Sequence, residues 1–308
     1  MTKNRRGKKF NPNALSLKSE LAFHLLLLLF SLSCIIPFLF VIILSLTDEM
    51  ALVNNGYSFF PEKLTLEGYR YIFKNGGLLV NSYLVSIFIT VVGTILSLIV
   101  TSMYAYALFR KCYRLRGLFT GVAVFTMLFA GGLVPYYVTV TQLLHLQNSV
   151  WSLILPGVLS AFNIIIFRTF FTTTIHEALI DSAIIDGCGE FGTYVKIAMP
   201  LSLPGIATIG LFSAIGFWNE WFNALLFISD AQKIPIQYLL IKIQRQMDFL
   251  IKNNMHLSAA DSSQALASIP HESARMVMVV LIVLPIACAY PFFQRYFVQG
   301  LTIGSIKG

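Results

Sequence analysis

Long apolar stretches dominate the hydrophobic pattern of this 308-residue chain. We place them at about 21–46, 79–108, 117–138, 150–170, 203–229 and 275–296. Crossing a hydrocarbon core of roughly 30 Å takes about 20 helical residues, and lipid offers no hydrogen-bond partner to non-helical backbone. The pattern therefore predicts an all-α integral membrane protein with six transmembrane helices.

The third stretch is the least regular of the six. Gly131, Gly132 and Pro135 interrupt its apolar pattern. Because glycine and proline are usual causes of sharp helix bends, we expect this helix to be broken or bent towards its end.

Basic residues predict the orientation of the helices. The leader MTKNRRGKKF and the loop RKCYRLRG, here called the basic loop (110–117), are rich in lysine and arginine. The joint 145–148 contains neither residue type. By the positive-inside rule, both termini are expected to face the cytoplasm.

This orientation divides the chain into a basic cytoplasmic leader, 1–20, and a transmembrane permease-like domain, 21–308. A segment at about 172–202, here called the acidic loop, is then cytoplasmic. A second segment at about 230–274, here called the outer segment, is then extracytoplasmic.

Composition agrees with a membrane protein and excludes several function classes. The chain is 56% hydrophobic and 12% charged, with mean hydropathy +0.74. Its net charge of +8 is concentrated in the leader and basic loop, which favours anionic lipid and not nucleic acid. The four cysteines lack metal-ligand spacing, and a G-x-x-x-x-G-K-[ST] phosphate loop is absent. We expect no catalytic residue, no metal site and no cofactor bound by this chain.

The acidic loop has a helix–glycine–helix pattern. Thr174 and Glu177 have the spacing of a capping box, so a helix is expected to begin there. Apolar residues follow at helical spacing, and Gly187 is placed to end the helix with a positive φ. A second helical periodicity continues to Pro200.

The polar face of this loop carries carboxylates. They are Glu177, Asp181, Asp186 and Glu190. A short helix lying on the lipid surface is one interpretation, but such helices usually carry lysine and arginine on their polar face. A protein partner is the interpretation that the charge favours.

The fifth stretch contains a polar cluster within GFWNEWFNAL. Asn219, Glu220 and Asn223 fall on the same helical face as Gly216. An ionisable residue at this depth should face protein or water, so these residues with Trp218 are candidates for a substrate pathway or for subunit packing. The alternative is an aromatic belt of tryptophans, with Glu220 reaching outer water.

The outer segment includes IPIQYLLIKIQRQMDFLIKNN, whose helical periodicity predicts a folded helix. A solvated insertion is the alternative.

The acidic loop resembles the EAA…G…I-x-L-P motif of bacterial ABC importer permeases. The matching residues are Asp181, Ser182, Ala183, Gly187, Ile197 and Pro200. The stretch LIDSAIIDG is similar to the LEEAAxIDG form of the carbohydrate branch. Aspartate for glutamate, serine for alanine and Met199 for leucine are departures that conserve size or charge. GGLVPYYVTV, NSVWSLILPG and FWNEWFNALLF also resemble permeases of the maltose and lplC-like type.

The resemblance implies a type I ABC importer permease fold in a bacterial cytoplasmic membrane. It implies import of a carbohydrate, an oligosaccharide or a modified sugar, with a second homologous permease, an ATPase dimer and an extracytoplasmic solute-binding protein. In that family the acidic loop is the coupling helix that docks into the ATPase, where ATP and Mg²⁺ bind, and the outer segment reaches the binding protein. The implied coupling residues are Glu177, Asp181, Ser182, Ala183, Asp186, Gly187, Ile197 and Pro200.

Three other functions are alternatives to this interpretation. An ion-driven secondary transporter is expected to carry charges near the bilayer midplane, and this chain has few. A membrane-embedded enzyme needs a nucleophile and base or a metal set within the spans, and none assembles in the sequence. An ABC permease for a non-sugar solute remains the alternative within the same class.

Overall fold

The computed structural model describes residues 17–74, 76–254 and 270–304, which are nearly all helical. The leader up to residue 16 and the outer segment from 255 to 269 lie outside these residues. The α-helices are α1 Leu17–Ser45, α2 Glu49–Asn55, α3 Glu67–Phe73, α4 Gly76–Phe109, α5 Arg116–Leu128, α6 Leu133–Val138, α7 Trp151–Val158, α8 Ala161–Thr174, α9 Glu177–Ile185, α10 Glu190–Thr193, α11 Met199–Leu201, α12 Leu203–Trp218, α13 Phe222–Phe227, α14 Ile236–Asn254 and α15 His271–Gly304. Two π-helical turns, Thr139–Leu143 and Tyr194–Ala198, continue α6 and α10.

Three helices in the described ranges are long and apolar enough to cross a membrane: Ser19–Ser45, Gly76–Phe109 and His271–Pro291. Three bent helix pairs also meet that requirement when each pair is counted as one span. They are Arg116–Leu128 with Leu133–Leu143, bent by 116°, Trp151–Val158 with Ala161–Thr174, bent by 46°, and Glu190–Leu201 with Leu203–Trp218, bent by 82°. The described part of the chain therefore contains three to six candidate membrane spans.

The helices of the third, fourth and fifth apolar stretches are interrupted, and the sequence predicted only the first of these three breaks. The bend predicted in the third stretch is confirmed, and Gly132 lies in it with φ +87°. The fourth stretch is broken between α7 and α8, where Ser160 caps α8 by accepting a hydrogen bond from the backbone N of Asn163 at 3.5 Å. The prediction of one continuous helix through the fifth stretch is wrong, because α12 ends at Trp218 and α13 begins at Phe222.

The chain divides into two compact units, Met1–Tyr69 with Pro270–Val280, and Arg70–Ile269 with Leu281–Gly308. In the first unit, the buried Glu49 carboxylate caps the start of α15. It accepts hydrogen bonds from the backbone N of Glu272 and from the backbone N and Oγ of Ser273, each at 2.9 Å. A carboxylate at this position compensates the free N–H groups and the positive end of the helix dipole.

The second unit is built around α4, α8 and α12, which share a hydrophobic core. Phe167 and Phe171 of α8 stack with ring centroids 4.8 Å apart. Ile209 of α12 and Ile180 of α9 are fully buried in the same core. The acidic loop is therefore anchored to the bundle through Ile180 of α9 and through Tyr194 and Ala198, which are buried in the same core.

Phe217 of α12 occupies the junction of three helices. A Cβ atom added at Gly93 of α4 would lie 2.8 Å from three carbons of its ring, and one added at Gly157 of α7 would lie 2.9 Å from the ring. Real side chains do not approach this closely, so the ring is seated on two positions that only glycine leaves open.

Replacing Gly93 by alanine is expected to lower the thermal stability of the purified protein. The added methyl group overpacks a buried ring, which typically costs about 1–3 kcal/mol and exceeds the helix propensity that alanine gains. Gly216→Ala is the control, because among the described atoms none lies within 4 Å of a Cβ added there. The melting temperatures of both variants are measured in detergent. Equal changes in Gly93→Ala and Gly216→Ala would contradict the close packing of Phe217 against Gly93.

Candidate functional site

The two helices of the acidic loop are joined by a turn at Gly187, as the sequence predicts. Gly187 has φ +89°. Its backbone N donates to the carbonyl of Ile184 at 3.0 Å, and the N of Cys188 donates to the carbonyl of Ala183 at 2.9 Å. These two bonds form a Schellman motif, in which a residue with positive φ ends a helix and satisfies its last carbonyls.

The predicted capping box between Thr174 and Glu177 is wrong. Thr174 is the last residue of α8, and His176 precedes α9. The Glu177 carboxylate instead accepts a hydrogen bond from the backbone N of Lys111 at 3.2 Å and pairs with Lys111 Nζ at 2.6 Å. The hydrogen bond from Lys111 lowers the pKa of Glu177 below its ordinary value. The pair is therefore present at neutral pH and is lost only as the pH falls through that lowered pKa.

Arg110 forms ion pairs with both helices of the acidic loop, α9 and α10. Its side chain is 6% exposed, and its two terminal nitrogens reach Asp181 Oδ1 at 3.4 Å and Glu190 Oε1 at 3.1 Å. Burial lowers the pKa of the guanidinium, but the hydrogen bond to Glu190 raises it and the net shift is upward. A permanent positive charge thus joins the end of α4 to α9 and α10.

Three of the four carboxylates predicted to meet basic groups of a partner therefore already pair with the basic loop of the same chain. They are Glu177, Asp181 and Glu190. Asp186, the fourth, is exposed at the end of α9. The charge of this loop stabilises its own fold to a greater extent than the sequence indicated.

The apolar residues of the loop point in two directions. Ile180 is fully buried, whereas the group here called the apolar cap is exposed to solvent. The apolar cap consists of Leu179, Ile184, Ile185 and Phe191. Ile185 is 86% exposed and Phe191 is 69% exposed, which is unusual for large apolar side chains outside an interface.

The remaining predicted coupling residues lie close to this surface. Ser182 is exposed and its hydroxyl donates to the carbonyl of Leu179 at 2.9 Å. Ala183 is half-buried, and Ile197 packs against the core of the second unit. Pro200 is exposed in α11.

The polar cluster of the fifth stretch is brought together by a loop and not by a helical face. Glu220 Oε1 accepts from the backbone N of Asn223 at 2.8 Å, and Oε2 accepts from its Nδ2 at 2.9 Å. Asn219 Oδ1 accepts from Gln237 of α14 at 3.1 Å. Trp218 is buried, and its Nε1 donates to the carbonyl of Ile282 at 3.1 Å. Burial removes Trp218 from the proposed aromatic belt.

A cavity of about 470 Å³ lies between the α7–α8 break and α12. Its lining includes Ser160, Phe162, Asn163, Phe212, Ser213 and Glu220. Of these, only Glu220 was a candidate from the sequence. For Ser160, Phe162 and Asn163 the signal was the pair Pro156 and Gly157 just before the helix break, which the apolar pattern alone did not indicate. No set of three or more metal-ligating side chains comes together within the described ranges.

The fold of the described helices is that of an ABC importer permease. A solved structure, described as a bacterial ABC transporter involved in the import of the acidic polysaccharide alginate, matches with a TM-score of 0.74 and 27% identity. The match covers 92% of this chain and 99% of the solved chain. No model of a known protein family matched.

Two curated proteins of Bacillus subtilis (strain 168) are similar over almost the whole chain. The polygalacturonan/rhamnogalacturonan transport system permease protein YtcP is 39% identical, covering 92% of this chain and 96% of that protein. Protein LplC is 41% identical, covering 89% of this chain and 90% of that protein. The chain belongs to the family of carbohydrate ABC transport permeases, which are integral membrane proteins and not enzymes.

Proposed function

We propose that this chain forms half of the pathway of an ATP-driven importer for an oligosaccharide, with a second homologous permease forming the other half. The substrate class is supported by a relative named for polygalacturonan and rhamnogalacturonan transport and by the likeness to an alginate importer. The importer lies in the bacterial cytoplasmic membrane.

The main observation in support of this proposal is the apolar cap, which is exposed on an acidic loop held in place by ion pairs. Arg110 holds α9 and α10, while Ile185 and Phe191 stay exposed. Rigid apolar side chains surrounded by polar groups are typical of interface cores. The cap, with Ser182, Ala183, Asp186 and the Gly187 turn, docks into a separate ATPase dimer, which binds ATP and Mg²⁺. Glu177 and Asp181 act in coupling by bracing the loop.

We divide the chain into a basic leader, 1–20, and one transmembrane domain, 21–308. We assign to this domain six membrane spans, with both termini of the chain in the cytoplasm. Each bent helix pair then counts as one span. Pairing of Arg110 and Lys111 with the acidic loop supports one side of the membrane for both loops. The basic loop is rich in lysine and arginine, which supports a cytoplasmic position for both loops.

We assign to the outer segment the contact with an extracytoplasmic solute-binding protein. Its helix α14 buries Leu239, Leu240 and Met247. The opposite face exposes Lys242 and Arg245, with Phe249 nearby. A cationic face with an aromatic side chain suits an acidic protein surface.

The proposal is tested by reconstituting the chain with its copurifying partners in proteoliposomes. ATP hydrolysis and uptake are measured with a panel of neutral and uronate oligosaccharides and with candidate binding proteins. We expect a second permease and an ATPase in the purified complex, and hydrolysis stimulated by one saccharide class. A chain that purifies alone and still transports in response to an ion gradient would contradict the importer assignment. Stimulation only by a non-sugar solute would contradict the substrate class.

A further inference from the structure

Asn163 has an unusual environment within its membrane span. It lies midway along the Trp151–Thr174 helix pair and is 8% exposed. Its backbone N is used by the Ser160 cap. Within the part of the chain that the structure describes, its side-chain amide makes no hydrogen bond, although it lines the 470 Å³ cavity.

A free amide at this depth requires a partner. Lipid cannot supply one, and a side-chain amide has two donors and two acceptor sites to satisfy. The side chains of the other polar residues in the lining already make hydrogen bonds: Ser160 Oγ accepts from the backbone N of Asn163 at 3.5 Å, Ser213 pairs with Ser97 at 3.1 Å, and both Glu220 oxygens accept from Asn223. Asn163 is therefore the group whose hydrogen-bonding capacity is left for a ligand.

The rest of the lining narrows the chemistry of that ligand. Phe162 and Phe212 expose large parts of their rings. Aromatic faces beside a few fixed polar groups suit a molecule with an apolar C–H face and hydroxyl edges. A carboxylate oxygen can accept more than one hydrogen bond, so the Glu220 oxygens that accept from Asn223 can also accept from a ligand, which favours hydroxyl donors over another carboxylate.

We propose that this cavity is a saccharide subsite within the chain itself, in which Asn163 hydrogen-bonds the hydroxyls of one pyranose residue and Phe162 or Phe212 packs against its ring. Its volume lies in the range of small-molecule sites. The subsite takes the hydroxyl edge of a residue, and any carboxylate of a uronate chain lies outside it. The inference rests on the proposed function, since it places a substrate contact on the import pathway.

The test replaces Asn163 by leucine, which keeps the branched shape and the number of side-chain heavy atoms and removes the amide; the cavity has room for the slightly larger side chain. Uptake and ATP hydrolysis are measured in the full reconstituted complex with maltotriose, trigalacturonate and the other saccharides of the panel. We expect uptake at low substrate concentration to fall roughly tenfold, with basal ATP hydrolysis and complex assembly unchanged. Thermal stability without sugar should be equal or higher, because the amide that faces the cavity makes no hydrogen bond within the described structure that the variant would lose.

Thr169→Val is the matched control. It lies on the same helix, is exposed, and its hydroxyl bonds only the carbonyl of Ile165 in the described structure. It should leave uptake unchanged. Unchanged uptake in Asn163→Leu would overturn the subsite while leaving the importer assignment intact. Loss of assembly with the second permease would overturn it too, since the amide would then belong to the subunit interface. Wild-type protein that transports no saccharide would instead refute the proposed function.

Discussion

Replacing Gly187 by valine is expected to reduce ATP-coupled import by about thirtyfold while the chain still inserts into the membrane. The residue has φ +89°, which a β-branched side chain adopts only with strain. Strain of this kind costs about 2 kcal/mol, a factor of about 30 in the population of the native turn. The apolar cap would lose the geometry fixed by the Schellman motif.

Coupled hydrolysis and uptake in proteoliposomes measure this effect, and copurification with the ATPase measures docking. Gly189→Ala is the matched control two residues away, because its φ is −74° and no described atom lies within 4 Å of an added Cβ. Gly187→Asn should be intermediate, since asparagine tolerates the left-handed region. A valine variant that imports at the wild-type rate would show that the turn is not needed for coupling.

Replacing Arg110 by methionine is expected to loosen the acidic loop. The variant removes a buried cation that bonds Asp181 and Glu190. Because those two carboxylates are 60% and 53% exposed, water compensates them in part, and we expect a loss of about 1–2 kcal/mol. Hydrogen exchange of the amides in 177–201 should become about tenfold faster.

Lys111→Met provides the comparison at the neighbouring position. Lys111 is 71% exposed, so its pair with Glu177 should contribute at most about 1 kcal/mol and weaken with added salt. Exchange that is faster in Lys111→Met than in Arg110→Met would contradict the assignment of Arg110 as the main brace. Equal exchange in both variants would contradict it as well.

Local features of the acidic loop could be predicted from the sequence, and its long-range contacts could not. The Gly187 turn follows from a conformational property of one residue type. The capping box failed because Glu177 bonds a lysine 66 residues away, and no local spacing reports such a pair. For the same reason Asp181 and Glu190 were interpreted as free for a partner.

For the membrane spans, too, local features could be predicted from the sequence and long-range contacts could not. The approximate positions of the spans follow from apolar length, and the bend at Gly132 follows from glycine and proline. The break after Trp218 has no proline to mark it, and Gly216, two residues earlier, lies within α12. The break is stabilised by Glu220 bonding the first turn of α13, so the continuous apolar pattern favoured a single helix. The cavity around Asn163 depends on two breaks at once, which is why only one of its polar residues was a candidate.

The ring of Phe217 has a mechanical consequence for a transport cycle. Because it is seated against Gly93 and Gly157, the ring opposes sliding of α4, α7 and α12 along one another, since such sliding would move it off the two positions that have room for it. We therefore expect these three helices to move together in a transport cycle. Conformational change must then be absorbed at hinges elsewhere, such as the Gly132 bend and the break between α12 and α13.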